Sequence, residues 1–372
     1  MSDDTKTPGA FGRLYQGLTT IDFVARRRTW FTISIVVIAI GLGSLGLRGF
    51  NLGIEFKGGS SWEVLAPHTT IPAMTSAVEK AGLSNPIVQK LGGDTYQVTS
   101  DINNLSSTQQ LNVTNNVVNA MAKVAGVAQN QVSTSNVGPT WGGQITNRAL
   151  EALIVFFIAV VAYISVRFEP KMALAAFIAM IHDLLVTVGV YSVFGFQITP
   201  DTVIALLTIL GYSLYDTVVV FDRVRDNTGS VLKGGDMTYS DMVNLSMNQT
   251  LARSINTSLV AIMPVLSVLV VGAYILGATT LENYGLALFV GLLSGAYSSI
   301  FIASPLLAWL KEREPRFREL ANRVGQKSER AVLTPAGYAL AMSDVNRSTR
   351  TGGTGRLGTP AVQARARKQK RR

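Results

Sequence analysis

One carboxylate interrupts an otherwise apolar run that begins at Thr202. Asp216 lies in this run, and Tyr212 precedes it by one helical turn on the same face of a helix. A run of this length, roughly twenty residues, is long enough to cross a bilayer as a helix. An ionised group at membrane depth costs on the order of 3 kcal/mol, so it normally faces a protein interior or a wet cavity. Asp216 is therefore the first candidate for a residue that takes up and releases a proton.

Other ionisable groups lie in or beside the apolar runs. His182 and Asp183 are adjacent in the middle of another run, and Arg253 stands at the start of a third. An aspartate, a histidine and an arginine are the parts of a proton relay, in which the arginine biases the proton affinity of the carboxyl group. An alternative is that Asp216 reaches water and pairs with Arg223. In the same way, the His182–Asp183 pair could lock helix packing, and Arg253 could extend to the lipid head groups.

No pattern for nucleotide, metal or hydrolytic chemistry is present. The glycine pairs at 58–59, 92–93 and 234–235 belong neither to GxxxxGK[ST] nor to GxGxxG after a strand. The histidines lack metal-ligand spacing and the partners of a hydrolytic triad, and the absence of cysteine excludes thiolate sites. We therefore predict that the chain is not an enzyme and binds no cofactor. An ion gradient is the only energy source that the sequence offers.

Composition indicates a membrane protein with a basic tail. Of the 372 residues, 48% are hydrophobic and 15% are charged, whereas soluble domains usually carry about 25% charged residues. The formal net charge is +10, and residues 311–372 contain 16 Lys or Arg against 5 Asp or Glu, an excess of 11. The tail therefore accounts for the whole positive charge. We predict that it is largely disordered and binds anionic lipid or ribosomal RNA electrostatically; the alternative is a charge run that only fixes the topology.

Six apolar runs predict six transmembrane helices. The first covers residues 30–48 and follows an arginine triplet, which predicts that residues 1–29 are cytoplasmic. The other five lie within residues 148–310, where basic loops alternate with uncharged or acidic ones, so both termini are predicted to be cytoplasmic. Between the fourth and fifth runs, apolar residues at 243, 245, 247 and 251 predict a short helix along the membrane surface.

Residues 49–147 are polar and have no long apolar run. Their pattern predicts the element order βαββαβ, with the second helix ending at Gly126. This order is the ferredoxin-like arrangement. The predicted fold is thus a membrane α-helical protein with six transmembrane helices and an extracytoplasmic ferredoxin-like domain after the first helix.

Several segments resemble one family in order and spacing. They are residues 50–59 (FNLGIEFKGG), 137–139 (VGP), 182–183 (HD), 211–227 (GYSLYDTVVVFDRVRDN) and 248–254 (NQTLARS). These segments are similar to the SecF members of the SecD/SecF family of protein-export membrane proteins. The similarity extends over about residues 20–310, and the 211–227 block is the most specific part.

The resemblance implies an RND-type half-transporter in the bacterial cytoplasmic membrane. Such a subunit would act with a SecD-like subunit, the SecYEG channel and SecA, and would use the proton gradient to assist the export of preproteins. Carried onto this chain, Asp216 would bind the proton, or Na⁺ in its place, and Arg253 would modulate it. The supporting residues would be His182, Asp183, Tyr212 and Tyr215, and the signature turn after the first helix would contain Gly53, Glu55, Gly58 and Gly59.

Two positions depart from the family pattern. Tyr215 stands where the family usually has Asn, next to the predicted proton site. We therefore expect the hydrogen bonding or the hydration of that site to differ from the family's. Glu55 replaces the usual Asp and keeps the charge. Two alternatives for the function stay open: a scaffold subunit of the translocase that moves no protons, and half of an RND-type exporter of small molecules.

Overall fold

The computed structural model describes residues 19, 21–234, 237–276 and 278–326. Within this part, six helices are long and apolar enough to cross a membrane. Most of the tail that was predicted to bind lipid, and most of the segment 1–29, lie outside the described residues.

The elements, in chain order, are α1 (Arg27–Arg48), α2 (Ile54–Lys57), β1 (Gly59–Leu65), α3 (Ile71–Lys80), β2 (Ile87–Lys90), β3 (Thr95–Ser100), α4 (Ser107–Ala125), β4 (Ser133–Val137), α5 (Pro139–Arg167), α6 (Pro170–Phe194), α7 (Pro200–Gly234), α8 (Tyr239–Ser267), α9 (Thr279–Ser298), α10 (Ser304–Lys311) and α11 (Pro315–Gln326).

We call α1, α5, α6 and α7 spans 1 to 4. Span 5 is α8 with its π-helical continuation Val268–Ile275, and span 6 is α9 and α10 joined by the π-helical segment Ser299–Ala303. Spans 2, 3 and 4 each begin with a proline, which has no N–H to leave unpaired in a first turn. Span 3 ends at Phe194, and the following Gly195, with a φ of 72°, forms a left-handed C-cap. The six predicted spans are confirmed.

The α+β domain between spans 1 and 2 contains one four-stranded sheet. The strand order is β2-β3-β1-β4, and each neighbouring pair is antiparallel. Trp62 of β1 is fully buried with Val98 of β3, and Met74 and Met121 cover them from α3 and α4. The predicted ferredoxin-like fold is confirmed. The second helix ends where expected, because Gly126 forms a left-handed cap.

The α+β domain is docked onto the membrane helices at two places. The Gly92 N–H donates to Glu282 Oε2 of span 6 at 2.7 Å. A Cβ on Gly92 would lie 2.8 Å from the ring of Tyr274 in span 5, so only glycine fits in this turn. Asn51 and Gln89 both donate from their side-chain amides to the Gly195 carbonyl after span 3, at 2.9 and 3.2 Å. The docking therefore fixes the domain against the spans 3, 5 and 6.

Glycines allow close crossings between the spans. A Cβ on Gly41 of span 1 would lie 2.6 Å from the Cα of Gly189 in span 3. In span 6, Gly291 and Gly295 form a GxxxG pair, and a Cβ on Gly295 would lie 3.0 Å from the Cβ of Ser213 in span 4. Spans 4 and 6 thereby approach closely enough for short polar side chains to meet between them.

Replacement of Gly295 by leucine should separate spans 4 and 6. Overpacking of this kind costs roughly 1–3 kcal/mol, and it would also pull Ser213 away from span 6. We expect Gly295→Leu to lower the thermal unfolding midpoint of the purified protein. Gly43→Leu is the matched control, because nothing lies within 4 Å of a Cβ at Gly43 in span 1. Equal stability of the two variants would refute the close crossing.

The predicted surface helix around residues 243–251 is wrong as a separate element. Helix α8 runs without a break from Tyr239 into the membrane-spanning part of span 5. Val243 and Leu245 are fully buried in the main core of the helix bundle. Asn244 and Asn248 on the same helix bind the chain before span 1: Asn244 Oδ1 accepts from the N–H groups of Phe23 and Val24, at 3.0 and 3.1 Å. The apolar residues of this segment therefore face the protein core. An amphipathic pattern alone is the same for a helix that faces lipid and for one that faces a core.

Candidate functional site

Asp216 lies inside the bundle, where span 4 packs against spans 5 and 6. The residue is 2% exposed, and the Ser299 hydroxyl of span 6 donates a hydrogen bond to Oδ2. The buried Ser254 hydroxyl of span 5 is beside the carboxyl group, and the exposed Arg253 interacts with it electrostatically. Asp216 is thus a carboxyl group with few fixed donors, in a site closed to bulk water.

The predicted alternative partner of Asp216 binds elsewhere. Arg223 Nε donates to Gln249 Oε1 at 2.8 Å, at the basic end of the bundle. Asp222, which follows Asp216 along the same helix, pairs with Arg167 at 3.2 Å and Arg225 at 3.0 Å. The charge cluster at the end of span 4 is therefore neutralised by its own neighbours and leaves Asp216 to Ser299.

Asp183 is a second buried carboxylate, and hydrogen bonds surround it. It is fully buried in span 3 and accepts at both oxygens. Ser213 of span 4 and Ser298 of span 6 donate to Oδ2 at 2.5 and 2.7 Å. Ser294 of span 6 donates to Oδ1 at 2.8 Å, and the Nδ1 of His182 lies 3.1 Å from the same oxygen. Each oxygen therefore has two partners, as expected for a fixed carboxylate.

His182 extends this network to span 1. Its Nε2 lies 3.0 Å from the Ser34 hydroxyl, which in turn donates to the hydroxyl of Tyr297 at 3.3 Å. Tyr297 stacks on the imidazole ring with 6.0 Å between centroids and donates to the Trp30 carbonyl at 3.2 Å. The histidine and aspartate thus join spans 1, 3, 4 and 6, which agrees with the alternative that they lock helix packing.

Span 6 supplies the donors that sequence reasoning missed. Ser294 and Ser298 are one turn apart and hold Asp183, and the next residue, Ser299, holds Asp216. A signal was present, because three serines within six residues of an apolar helix are unusual and the spacing of two of them places them on one face. Small polar residues of this kind form hydrogen bonds between membrane helices.

The two predicted tyrosines lie in different surroundings: Tyr212 is half-buried and interacts electrostatically with Asp216, whereas Tyr215 is exposed. Tyr215 is 51% exposed, and with Tyr212 it lines a groove of about 380 Å³ between spans 4 and 5. The hydroxyl of Tyr212 lies near Thr257 and Ser258 of span 5. Tyr215 is next to Asp216 in sequence but about 100° away around the helix. Its side chain therefore belongs to the outer face of the bundle.

The signature turn connects span 1 to the α+β domain. Gly53 donates its N–H to the Ile198 carbonyl at 2.8 Å, and the Glu55 carboxyl group occupies the space that a Gly53 side chain would need. Gly58 and Gly59 have φ values of 77° and 130°, which other residues rarely adopt. The glycines therefore let helix α2 turn directly into β1.

Glu55 carries an unbalanced charge in this turn. Its Oε2 is buried and has no hydrogen-bond partner in the described part of the chain. Burial raises the pKa of Glu55; a bond from its own backbone N–H lowers it, and the negative charges of Asp201 and Glu63 raise it further. The net direction is upward, so the folded protein binds a proton here more tightly than the unfolded chain does.

Replacement of Glu55 by glutamine should stabilise the turn at neutral pH. Because the folded-state pKa of Glu55 is raised, its contribution to stability falls as the pH rises from the ordinary glutamate pKa through the raised one. We expect Glu55→Gln to raise the thermal midpoint at neutral pH and to match the wild type at acid pH. Glu79→Gln, on an exposed carboxylate of α3, is the control. A midpoint difference that does not change with pH would contradict this assignment.

The described residues contain no cluster of three or more His, Asp or Glu side chains that could hold a metal ion. The chemistry that this arrangement offers is proton binding at a buried carboxyl group. The two oxygens of Asp183 have two partners each, whereas one described hydrogen bond, from Ser299, reaches Asp216.

Two family models match the chain. The model for the C-terminal part of the protein export membrane protein SecD/SecF matches residues 116–313, which include both buried carboxylates. The model for the SecD/SecF GG motif matches residues 43–64, which include the signature turn.

Relatives and solved structures agree with these matches. The chain is 44% identical over 313 residues to the protein translocase subunit SecF of Streptomyces coelicolor, covering 84% of this chain and 82% of the relative. It is 41% identical over 339 residues to SecF of Mycobacterium tuberculosis, covering 89% and 76%. The crystal structure of SecDF from Thermus thermophilus, a translocon-associated membrane protein, matches with a TM-score of 0.69 and 29% identity over 79% of this chain, but only 39% of the SecDF chain. The two relatives named here are SecF subunits, and the chain belongs to the SecD/SecF family of protein-export membrane proteins.

Proposed function

We propose that this chain is the SecF-type subunit of a bacterial export complex, and that proton binding at Asp216 couples the proton gradient to preprotein export. The observation that carries the proposal is the environment of Asp216. It is a buried carboxyl group within a membrane span, with one hydrogen bond from Ser299 and a charged Arg253 close by. An ionisable group in such a place is normally functional.

In this proposal the two buried carboxylates have different roles: Asp183 stays ionised, and Asp216 binds the proton. Asp183 accepts from three serines and contacts His182, so its negative charge is compensated in place. Asp216 has fewer donors, so a proton from the outer water can bind to one of its oxygens and later leave toward the cytoplasm. The protonated carboxyl group removes a buried charge, whose cost inside a protein is several kcal/mol.

Arg253 completes the site as its modulator. Its positive charge favours the ionised form of Asp216 while it is near and lets the proton bind once it moves away. Arg253 is exposed, and it precedes Asn256, which lines the groove with Tyr215, by about one turn of the same helix. A partner subunit that covers this groove would control how close Arg253 lies to Asp216.

The partner is a SecD-like subunit. The match to SecDF covers about two-fifths of that longer chain, and the match to SecDF of Bacillus subtilis covers 38% of it. The rest of a SecDF chain has no counterpart in this match, and a separate SecD-like subunit would supply that part of the complex here. The complex would act beside the SecYEG channel and SecA on preproteins in the bacterial cytoplasmic membrane, with both termini of this chain cytoplasmic. The basic tail 311–372 would bind anionic lipid.

The scaffold and the small-molecule exporter explain less. A scaffold has no need of a buried carboxyl group within a membrane span that is held by as few described hydrogen bonds as Asp216 is. An exporter half of the RND type would need a porter domain that encloses its substrate, whereas the α+β domain is a single four-stranded sheet with two helices.

The identity of the driving ion provides a test. Vesicles that contain this chain, its SecD-like partner and the export channel are given ATP and either a proton gradient or a sodium gradient alone. We expect the proton gradient to increase the rate of preprotein export and the sodium gradient to have no effect. Stimulation by sodium alone, or by neither ion, would contradict proton coupling.

A further inference from the structure

Span 6 holds the two buried carboxylates with neighbouring residues. Ser294 and Ser298 donate to Asp183, and Ser299 donates to Asp216. The helix geometry changes at this point, because the α-helical part ends at Ser298 and the π-helical segment begins at Ser299. The hydrogen bonds of both acids therefore depend on the register of one short segment.

A π-helical segment contains one residue more than an α-helix needs for the same turn. Such segments are rare and are frequently found at functional sites. If the segment Ser299–Ala303 became α-helical, the two ends of span 6 would rotate against each other by about 100°, the angle of one residue. Ser294 and Ser298 lie on one side of the segment, so a rotation of this part would move both of them away from Asp183 together.

Ser299 can respond to a proton on Asp216. An ionised carboxylate only accepts, and it takes the hydrogen bond from Ser299. A protonated carboxyl group has a donor of its own, so the Ser299 hydroxyl is no longer required there as a donor. A second acceptor is present, because the Ala296 carbonyl on the same helix lies 3.3 Å from Ser299 Oγ. The hydroxyl can therefore exchange an acceptor in span 4 for one in its own helix.

The far end of the segment is held by a similar bond. Ser304 is fully buried, and its hydroxyl donates to the Ser299 carbonyl at 3.1 Å. This bond satisfies a carbonyl at the start of the π-helical segment. Both ends of the segment are thus fixed by hydroxyl groups rather than by apolar packing alone, and such bonds can be exchanged without opening the core.

We propose that Ser299 is a positioning residue that reports the protonation of Asp216 to span 3. In this account the proton on Asp216 frees Ser299, the π-helical segment changes its register, and Ser294 and Ser298 shift relative to Asp183. The inference depends on the proposed function of Asp216. It adds the element that transmits the proton signal through the bundle, which the assignment of Asp216 alone does not provide.

The test measures a distance between spans 3 and 6. The chain has no cysteine, so spin labels can be attached to Ile178→Cys and Leu293→Cys, which replace exposed residues on the two spans. The full chain is reconstituted with its SecD-like partner, and the label separation is measured by electron spin resonance at neutral and acid pH. We expect a pH-dependent change in the separation in the otherwise wild-type protein and its loss in Ser299→Ala.

Further variants separate the possible failures. Ser299→Thr keeps a hydroxyl and should retain the change. Ser267→Ala should retain it too, because the Ser267 hydroxyl donates to the Met263 carbonyl of its own helix. If Ser299→Ala responds like the wild type while Asp216→Asn does not, the role of Ser299 is refuted and that of Asp216 stands. If Asp216→Asn also responds like the wild type, the proposed function fails and the inference fails with it.

Discussion

Asp216→Asn should abolish the part of preprotein export that depends on the proton gradient. The amide keeps the size of the side chain and its acceptor oxygen for Ser299, but it cannot bind and release a proton. In vesicles with ATP in excess, we expect export with a gradient to fall to the rate without one. The amount of SecD-like partner that copurifies should be unchanged, because Asp216 is buried, whereas Tyr215 in the groove is exposed on another face of span 4.

The matched control for this variant is Asp226→Asn. Asp226 is on the same helix as Asp216 but exposed at its basic end. It should leave gradient-dependent export at the wild-type rate. Equal gradient responses in Asp216→Asn and the wild type would show that the carboxylate is structural and would favour the scaffold reading.

Asp183→Ala should destabilise the protein much more than Asp216→Asn. Removal of this carboxylate leaves the hydroxyls of Ser213, Ser294 and Ser298 without their acceptor in a fully buried site. Unsatisfied buried donors cost about 1–3 kcal/mol each, so even partial compensation leaves a loss on the order of 3 kcal/mol. The measurement is the thermal midpoint at which the purified complex loses its folded, monodisperse form.

Two comparisons define the result for Asp183. Asp183→Asn keeps one acceptor oxygen and should be less damaging than alanine. Ser267→Ala removes a hydroxyl that donates to the Met263 carbonyl of its own helix and should have little effect. A thermal midpoint of Asp183→Ala close to that of the wild type would refute the view that this carboxylate holds spans 3, 4 and 6 together.

The parts of the fold that hydropathy and strand patterns control were predictable. The six apolar runs correspond to the six spans, and the predicted order βαββαβ corresponds to the ferredoxin-like sheet of the structure. The segment at 243–251 was not predictable in the same way. An apolar stripe looks the same whether it faces lipid or another helix, and only the packing of α8 on the core shows that Val243 and Leu245 are internal.

The site was predictable at its centre and not around it. Asp216 is conspicuous because a carboxylate in an apolar span is costly. The serines of span 6 are less conspicuous, because a serine in a helix can bond its own backbone as easily as a neighbour. Which of these it does depends on the close crossing at Gly291 and Gly295, and a helix crossing is a property of two spans rather than one.

The position of Tyr215 could not be inferred from its adjacency to Asp216 in the sequence. That adjacency suggested that Tyr215 would alter the hydrogen bonding of the predicted proton site. A helix separates adjacent side chains by about 100°, and Tyr215 is on the outer face beside the groove. Its replacement of the usual Asn therefore concerns the surface that we assign to the partner subunit.

The most direct test of the central claim is to observe the proton on Asp216. Infrared difference spectra of the reconstituted complex, taken between neutral and acid pH, show the carbonyl stretch of each carboxyl group that gains a proton. We predict that one buried carboxyl component of the wild-type spectrum is lost in Asp216→Asn and kept in Asp226→Asn, while a separate component from Glu55 is lost only in Glu55→Gln. A carboxyl spectrum that is unchanged in Asp216→Asn, or no such component in the wild type, would show that Asp216 is not the proton-binding group.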